Sequence, residues 1–123
     1  MASAGMQECI DNCLQCHRIC LDMAMNHCLE AGGRHVAPEH FRLMTTCAEI
    51  CRTAAALMLS SSPQHQAVRA VCADVCEACA RSCEELDGME DCVRACRLCA
   101  ESCRDMAGDY LVRSLRATAS PSA

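Results

Sequence analysis

Lysine and tryptophan are absent from this chain, and tyrosine and phenylalanine occur once each. With so few aromatics there is no platform for stacking bases. The 11 basic residues, all arginine, are spread among 16 acids to give a net charge of −5, so there is no basic stripe. Together these absences exclude a nucleic-acid-binding surface. No run of 18 or more apolar residues occurs, which excludes a membrane-spanning helix. The first ten residues carry neither a basic segment nor an apolar one, so no export signal is expected and the expected compartment is the cytoplasm. No nucleophile–base constellation and no phosphate-binding loop appear, so no enzymatic activity is expected.

What is abundant is cysteine, with 15 among 123 residues. At about 12% this exceeds the usual threshold for a cysteine scaffold, and without it the apolar share falls to roughly 40%. Ordinary hydrophobes alone would make a thin core. An odd count cannot be fully paired within one chain, and cytoplasmic thiols stay reduced.

Turn signals divide the chain. Gly32-Gly33 can end a helix, Ser62 can cap one with Pro63 in its first turn, and Asp87-Gly88 can reverse the chain before Glu90 and Asp91. The segments between them show no strand-like alternation. The pattern predicts an all-α fold, an antiparallel up-down-up-down four-helix bundle over residues 1–116, with helices near 5–31, 38–60, 63–86 and 89–113. A disordered tail is expected over 117–123.

The cysteines follow one rule. Cys9, Cys13, Cys16 and Cys20 are spaced four, three and four residues apart. Cys72, Cys76, Cys79 and Cys83 repeat that spacing, as do Cys92, Cys96, Cys99 and Cys103. The second helix carries Cys47 and Cys51, with Ala54 and Met58 at the next two positions. Such steps place four side chains within about 60° of arc, so each helix turns a cysteine stripe to the bundle axis. On an ideal helix Cys28 falls about 100° away from Cys9 and flanks the seam.

Cysteine as a small buried hydrophobe accounts for one or two such positions, not fourteen. Thiolates select Cu(I), zinc or iron–sulfur clusters. Zinc sites and clusters commonly use loop-borne cysteines, whereas these lie on helices. Cu(I) accepts two nearly linear thiolates, a spacing that an i,i+4 pair can meet. One Cu(I) per thiolate is neutral, whereas each zinc with four thiolates buries a double negative charge. Neutral filling predicts about one Cu(I) per cysteine, roughly 15. A disulfide-stapled helical scaffold and a zinc or iron–sulfur module are the competing readings.

Methionine and histidine extend the stripes. Met23, His27, His40, Met44 and Met89 should converge at one end, near Cys28, as a mouth for copper. Met6, Met58, His65, Met106 and Tyr110 should gather at the other, a bulkier and more closed end. His17 and His35 read as surface or flank. Ile10, Leu14 and Leu21 form a second stripe, and Phe41 is a further candidate for an exposed apolar surface.

The three full stripes and the fourth, partial one resemble the bacterial copper storage proteins, specifically their cytosolic branch, over roughly residues 5–113. The resemblance implies a four-helix bundle whose core cysteines bind many Cu(I) ions, homotetrameric assembly, and Met or His residues at an open end. It carries the core-ligand role to the fourteen stripe cysteines and to Cys28, and the mouth role to His27, His40, Met44 and Met89. It implies copper ions, together with a copper donor or acceptor, as partners, and storage or detoxification as the task.

Overall fold

The computed structural model of the protein describes residues 3–119, with side chains described as far as Asp105. Helix α1 (Ala4–Met23) passes through a π-helical turn (Ala24–Cys28) into the short α2 (Leu29–Ala31). A 3-10 turn (Gly33–Val36) leads to α3 (Pro38–Leu59), which is followed by α4 (His65–Glu84) and α5 (Glu90–Ala119). The long helices α1, α3, α4 and α5 form an antiparallel ring, α1 packing on α3 and α5, and α4 packing on the same two. This is the four-helix bundle expected from the spacing.

Local chemistry sets the ends. The Ser3 hydroxyl accepts from the Met6 amide and caps α1. Pro38 occupies the first turn of α3, and Glu90 and Asp91 favour the start of α5. Two boundaries differ from the expected ones. Pro63 lies in a turn and α4 begins at His65, because the Ser62 hydroxyl bonds the amide and side chain of Gln64 and organises the turn. Helix α5 passes the expected limit at residue 113 and takes in the first residues of the expected tail. Residues 120–123 and the side chains of Met106 and Tyr110 lie outside the described residues.

The interior has an unusual composition. Among the described residues, the buried apolar set consists of the cysteines, eight alanines, Met44, Met58, Met89 and Ile10. Ile10 is its one branched aliphatic residue. Alanines such as Ala48, Ala55, Ala73 and Ala80 lie beside the cysteines and let the helices approach closely. Val68, Val75, Leu43 and Phe41 pack only at the margin of this core. Phe41 is therefore half-buried rather than exposed, whereas Leu14 and Leu21 of the second stripe are 42% and 39% exposed. Outside the core, Glu77 of α4 pairs with Arg97 and Arg104 of α5, exposed bridges that contribute little to stability.

Gly88, in the loop before α5, has a φ of +76°, and a Cβ there would lie 2.9 Å from the His27 ring. Gly88→Ala is expected to cost about 1–2 kcal/mol from the left-handed backbone alone. Urea unfolding measures it, and a change below a few tenths of a kcal/mol would contradict this account.

Candidate metal centre

Each long helix delivers its cysteines to the axis, and all 15 are fully buried, at 0% exposure. Their sulfurs form a branched ladder. Cys103 Sγ lies 3.6 Å from both Cys9 and Cys13, and Cys99 lies 3.6 Å from Cys13. Cys51 continues it, 3.7 Å from Cys99, 3.7 Å from Cys72 and 3.4 Å from Cys76. Cys47 then bridges Cys76 at 3.7 Å and Cys96 at 3.8 Å, and Cys96 reaches Cys20 at 3.5 Å. Neighbours four residues apart also meet, at 3.8 Å for Cys16–Cys20 and 4.0 Å for Cys99–Cys103.

The spacing is that of thiols around shared metal ions. A disulfide has sulfurs about 2.05 Å apart and takes partners in pairs. Cys51 has three near neighbours and no single partner. With metal–sulfur bonds of about 2.3 Å, trigonal coordination sets sulfurs roughly 4.0 Å apart and tetrahedral coordination roughly 3.8 Å. Linear coordination, at about 4.6 Å, requires a small outward movement. The spacing is thus tighter than linear pairing along one helix requires, because most of the short distances cross between helices.

Three groups of four bring all their sulfurs within 4.8 Å of one another: Cys13, Cys72, Cys99 and Cys103; Cys16, Cys20, Cys47 and Cys96; and Cys16, Cys51, Cys76 and Cys99. Cys16 and Cys99 each belong to two groups, so these are segments of one array rather than closed sites. Three divalent ions in these ten cysteines would leave four negative charges in the core, a costly burial. Monovalent ions matched to thiolates leave none.

Mutual hydrogen bonding sorts the thiols by proton affinity. Cys99 is pushed well below the ordinary thiol range by its hydrogen bonding with Cys103 and Cys13. Cys13 is pushed far above it by its bonds to Cys103 and Cys72, and so keeps its proton. Burial, followed by the charge of Cys83, raises Cys28.

At one end the ladder changes ligand type. Met44 Sδ lies 3.5 Å from Cys79 and 3.4 Å from Cys83. One layer further out, Cys28 Sγ lies 3.8 Å from Met89 Sδ and 3.9 Å from His40 Nε2. His40 is 6% exposed, and burial lowers its pKa and favours the neutral ring. Its Nδ1 is 2.8 Å from the Ser82 hydroxyl; an Nδ1–H donated there leaves the Nε2 lone pair facing Cys28. Met23 is half-buried at the margin of the core. Two clefts reach this end, one of about 250 Å³ touching Cys83 and Met89 and one of about 170 Å³ touching His40. Leu86 lines both.

The π-helical turn alters the register expected here. It contains one residue more than an α-helical turn, so Cys28 takes the seam position that an unbroken helix would give to His27. Cys28 is consequently a fully buried seam residue and not a flanking one. His27 is rotated outward, with its Nε2 3.4 Å from the Asp87 carbonyl. His35, read as flank, reaches the same carbonyl at 2.9 Å, and the two rings meet edge to face 5.2 Å apart. His17 Nδ1 lies 2.8 Å from the Ala48 carbonyl and links α1 to α3. Ser82 and Leu86 were not foreseen. Ser82 precedes a stripe cysteine, but only the packing of α3 on α4 pairs it with His40.

Fold and site together define a class: a helical bundle whose core is a thiol array suited to soft metal ions. A model of the copper storage protein family matches residues 2–108, and the chain belongs to that family. A solved Nitrosospira multiformis protein is 60% identical, with 85% of this chain and 95% of that one covered and a TM-score of 0.84. The Cu(I)-bound copper storage protein BsCsp3 is 37% identical over 84% of this chain and 98% of its own, with a TM-score of 0.77. An apo structure of copper storage protein 3 from Bacillus subtilis gives 38% identity, 82% and 97% coverage and a TM-score of 0.72. An uncharacterized cysteine-rich protein of Bacillus subtilis, YhjQ, is 38% identical over 66% of this chain and 74% of its own.

Proposed function

We propose that this protein stores Cu(I) as cargo, held by thiolates from all 15 cysteines at roughly one ion per cysteine. The observation that carries the reading is the ladder itself: fully buried sulfurs 3.4–4.0 Å apart that cross all four long helices. The protein acts on copper without chemical turnover, as a store and not an enzyme. Reduced, clustered thiols suit the cytoplasm, the compartment in which it acts. The exposed Leu14 and Leu21 of α1 offer a surface for self-association, in line with a homotetramer. Anaerobic Cu(I) titration tests the reading, and saturation at four or fewer ions per chain overturns it.

Copper passes through the Cys28, His40 and Met89 end, with Met44 next inward and His27 and Met23 at the rim. Imidazole and thioether hold Cu(I) less tightly than thiolate and can hand the ion on. Replacing His27, His40 and Met44 together is expected to slow loading severalfold while leaving capacity within about two ions of the parent. Stopped-flow absorbance of the copper–thiolate band measures the rate. An unchanged rate removes the mouth assignment.

A further inference from the structure

The far end of the bundle carries soft donors that the thiol ladder does not use. Met6 precedes Cys9 by three residues on α1, Met58 follows Cys51 by seven at the end of α3, and His65 precedes Cys72 by seven at the start of α4. Those intervals keep all three on the stripes that point to the axis. They line one cleft of about 390 Å³ with Gln7, Ile10, Leu59 and Ser61.

Met58 is 2% exposed, while Met6 and His65 are half-buried. The Nδ1 of His65 is buried and makes no hydrogen bond among the described residues. A buried ring nitrogen without a partner calls for an explanation, and an absent ion is one. Burial, followed by the charge of Arg69, lowers the His65 pKa and favours the neutral ring.

We propose that Met6, Met58 and His65 form a terminal binding site for a soft monovalent cation, Cu(I), at the end of the bundle opposite Cys28. Two thioethers and an imidazole make a neutral donor set that favours Cu(I) over harder ions. Arg69 occupies the stripe position between His65 and Cys72, 1% exposed. Thioether and imidazole hold Cu(I) less tightly than thiolate, so the site binds more weakly than the thiolates and fills after them. The site deepens the Cu(I)-storage reading and rests on it.

The test uses the full chain labelled with ¹³C at the methionine methyl groups. Cu(I), supplied as its acetonitrile complex without oxygen, is added until the copper–thiolate absorbance reaches its plateau, and then beyond. Past the plateau the Met6 and Met58 methyl signals and the His65 ring signals should shift together over one further equivalent. The methyl of Met25, 42% exposed on the π-helical turn, should stay in place. His65→Phe should lose that equivalent and keep the plateau, and Met58→Leu should do the same without altering the α4 start. Fixed Met6 and Met58 signals beyond the plateau, or total uptake by either variant equal to that of the parent, overturn the site. A plateau at four ions or fewer overturns the thiol reading instead, and the methyl and ring shifts then judge the terminal site by themselves.

Discussion

Titrated with Cu(I) in the absence of oxygen, the reduced protein should bind far more than four ions per chain and saturate near 15. The expectation follows from charge and spacing. Thiols of the ladder meet neighbours from other helices at 3.4–3.9 Å, and Cys79 and Cys83 meet the Met44 sulfur instead, so an ion placed along the ladder finds at least two sulfurs. Each monovalent ion that replaces a thiol proton leaves the core neutral, so filling one position does not electrostatically oppose the next. Thiols such as Cys13 and Cys28, whose pKa values are raised, are protonated at neutral pH. Loading must displace those protons, so uptake should acidify a weakly buffered solution. The sign fixes the pH dependence: apparent affinity falls as pH falls, because protons compete for sulfurs that hold them tightly. Zinc titration is the contrasting arm. If the array stopped at three divalent ions with high affinity and took Cu(I) no further, the charge argument would be wrong.

Copper-loaded protein should melt at least about 10 °C above the apo form. A ligand present at a hundred times its dissociation constant stabilises the native state by about 2.7 kcal/mol per site, if it does not bind the unfolded chain. Two such sites give about 5 kcal/mol, and one kcal/mol shifts the midpoint by roughly 2–8 °C across domains bracketing this size. More sites extend the effect until no transition is seen below boiling. The apo state has little to offset this, since Ile10 is the one branched aliphatic residue in its buried set among the described residues. Unfolded thiols also bind copper and reduce the gain, which is why the figure is set at two sites rather than fifteen. Calorimetry of the two forms at equal concentration decides it, and a difference below about 5 °C would show that the ions are held outside the packed core.

The bundle and most of its chemistry were legible in the sequence because one residue type repeats at a helical interval. Steps of four and three leave little freedom: Cys9 to Cys20, Cys72 to Cys83 and Cys92 to Cys103 can share a face only on a helix, and only the axis can bury four such faces. Reading the stripes outward also brought His40, Met44 and Met89 to one end. What escaped was whatever depended on departures from ideal geometry or on contacts between helices. Cys28 and His27 exchange roles across a turn whose irregularity has no local signature in Ala24–Cys28. Ser82 acquires its role from a histidine 42 residues away, and Leu86 from the shape of a loop. The start of α4 slipped by two residues because the serine read as a cap instead organises the turn before it.

The π-helical turn amounts to a frameshift written in three dimensions. Upstream of it the axis reads cysteine four times and then methionine, and without the widened turn the next word would be histidine. The added residue reads cysteine once more and sends the imidazole to the outer loop. The length of the thiol column is therefore set by helical phase as well as by composition. A single-residue deletion within residues 24–27 would restore an ordinary α-helical turn and still leave Cys28 on the axis, so the wide turn absorbs one surplus residue without costing the column a rung.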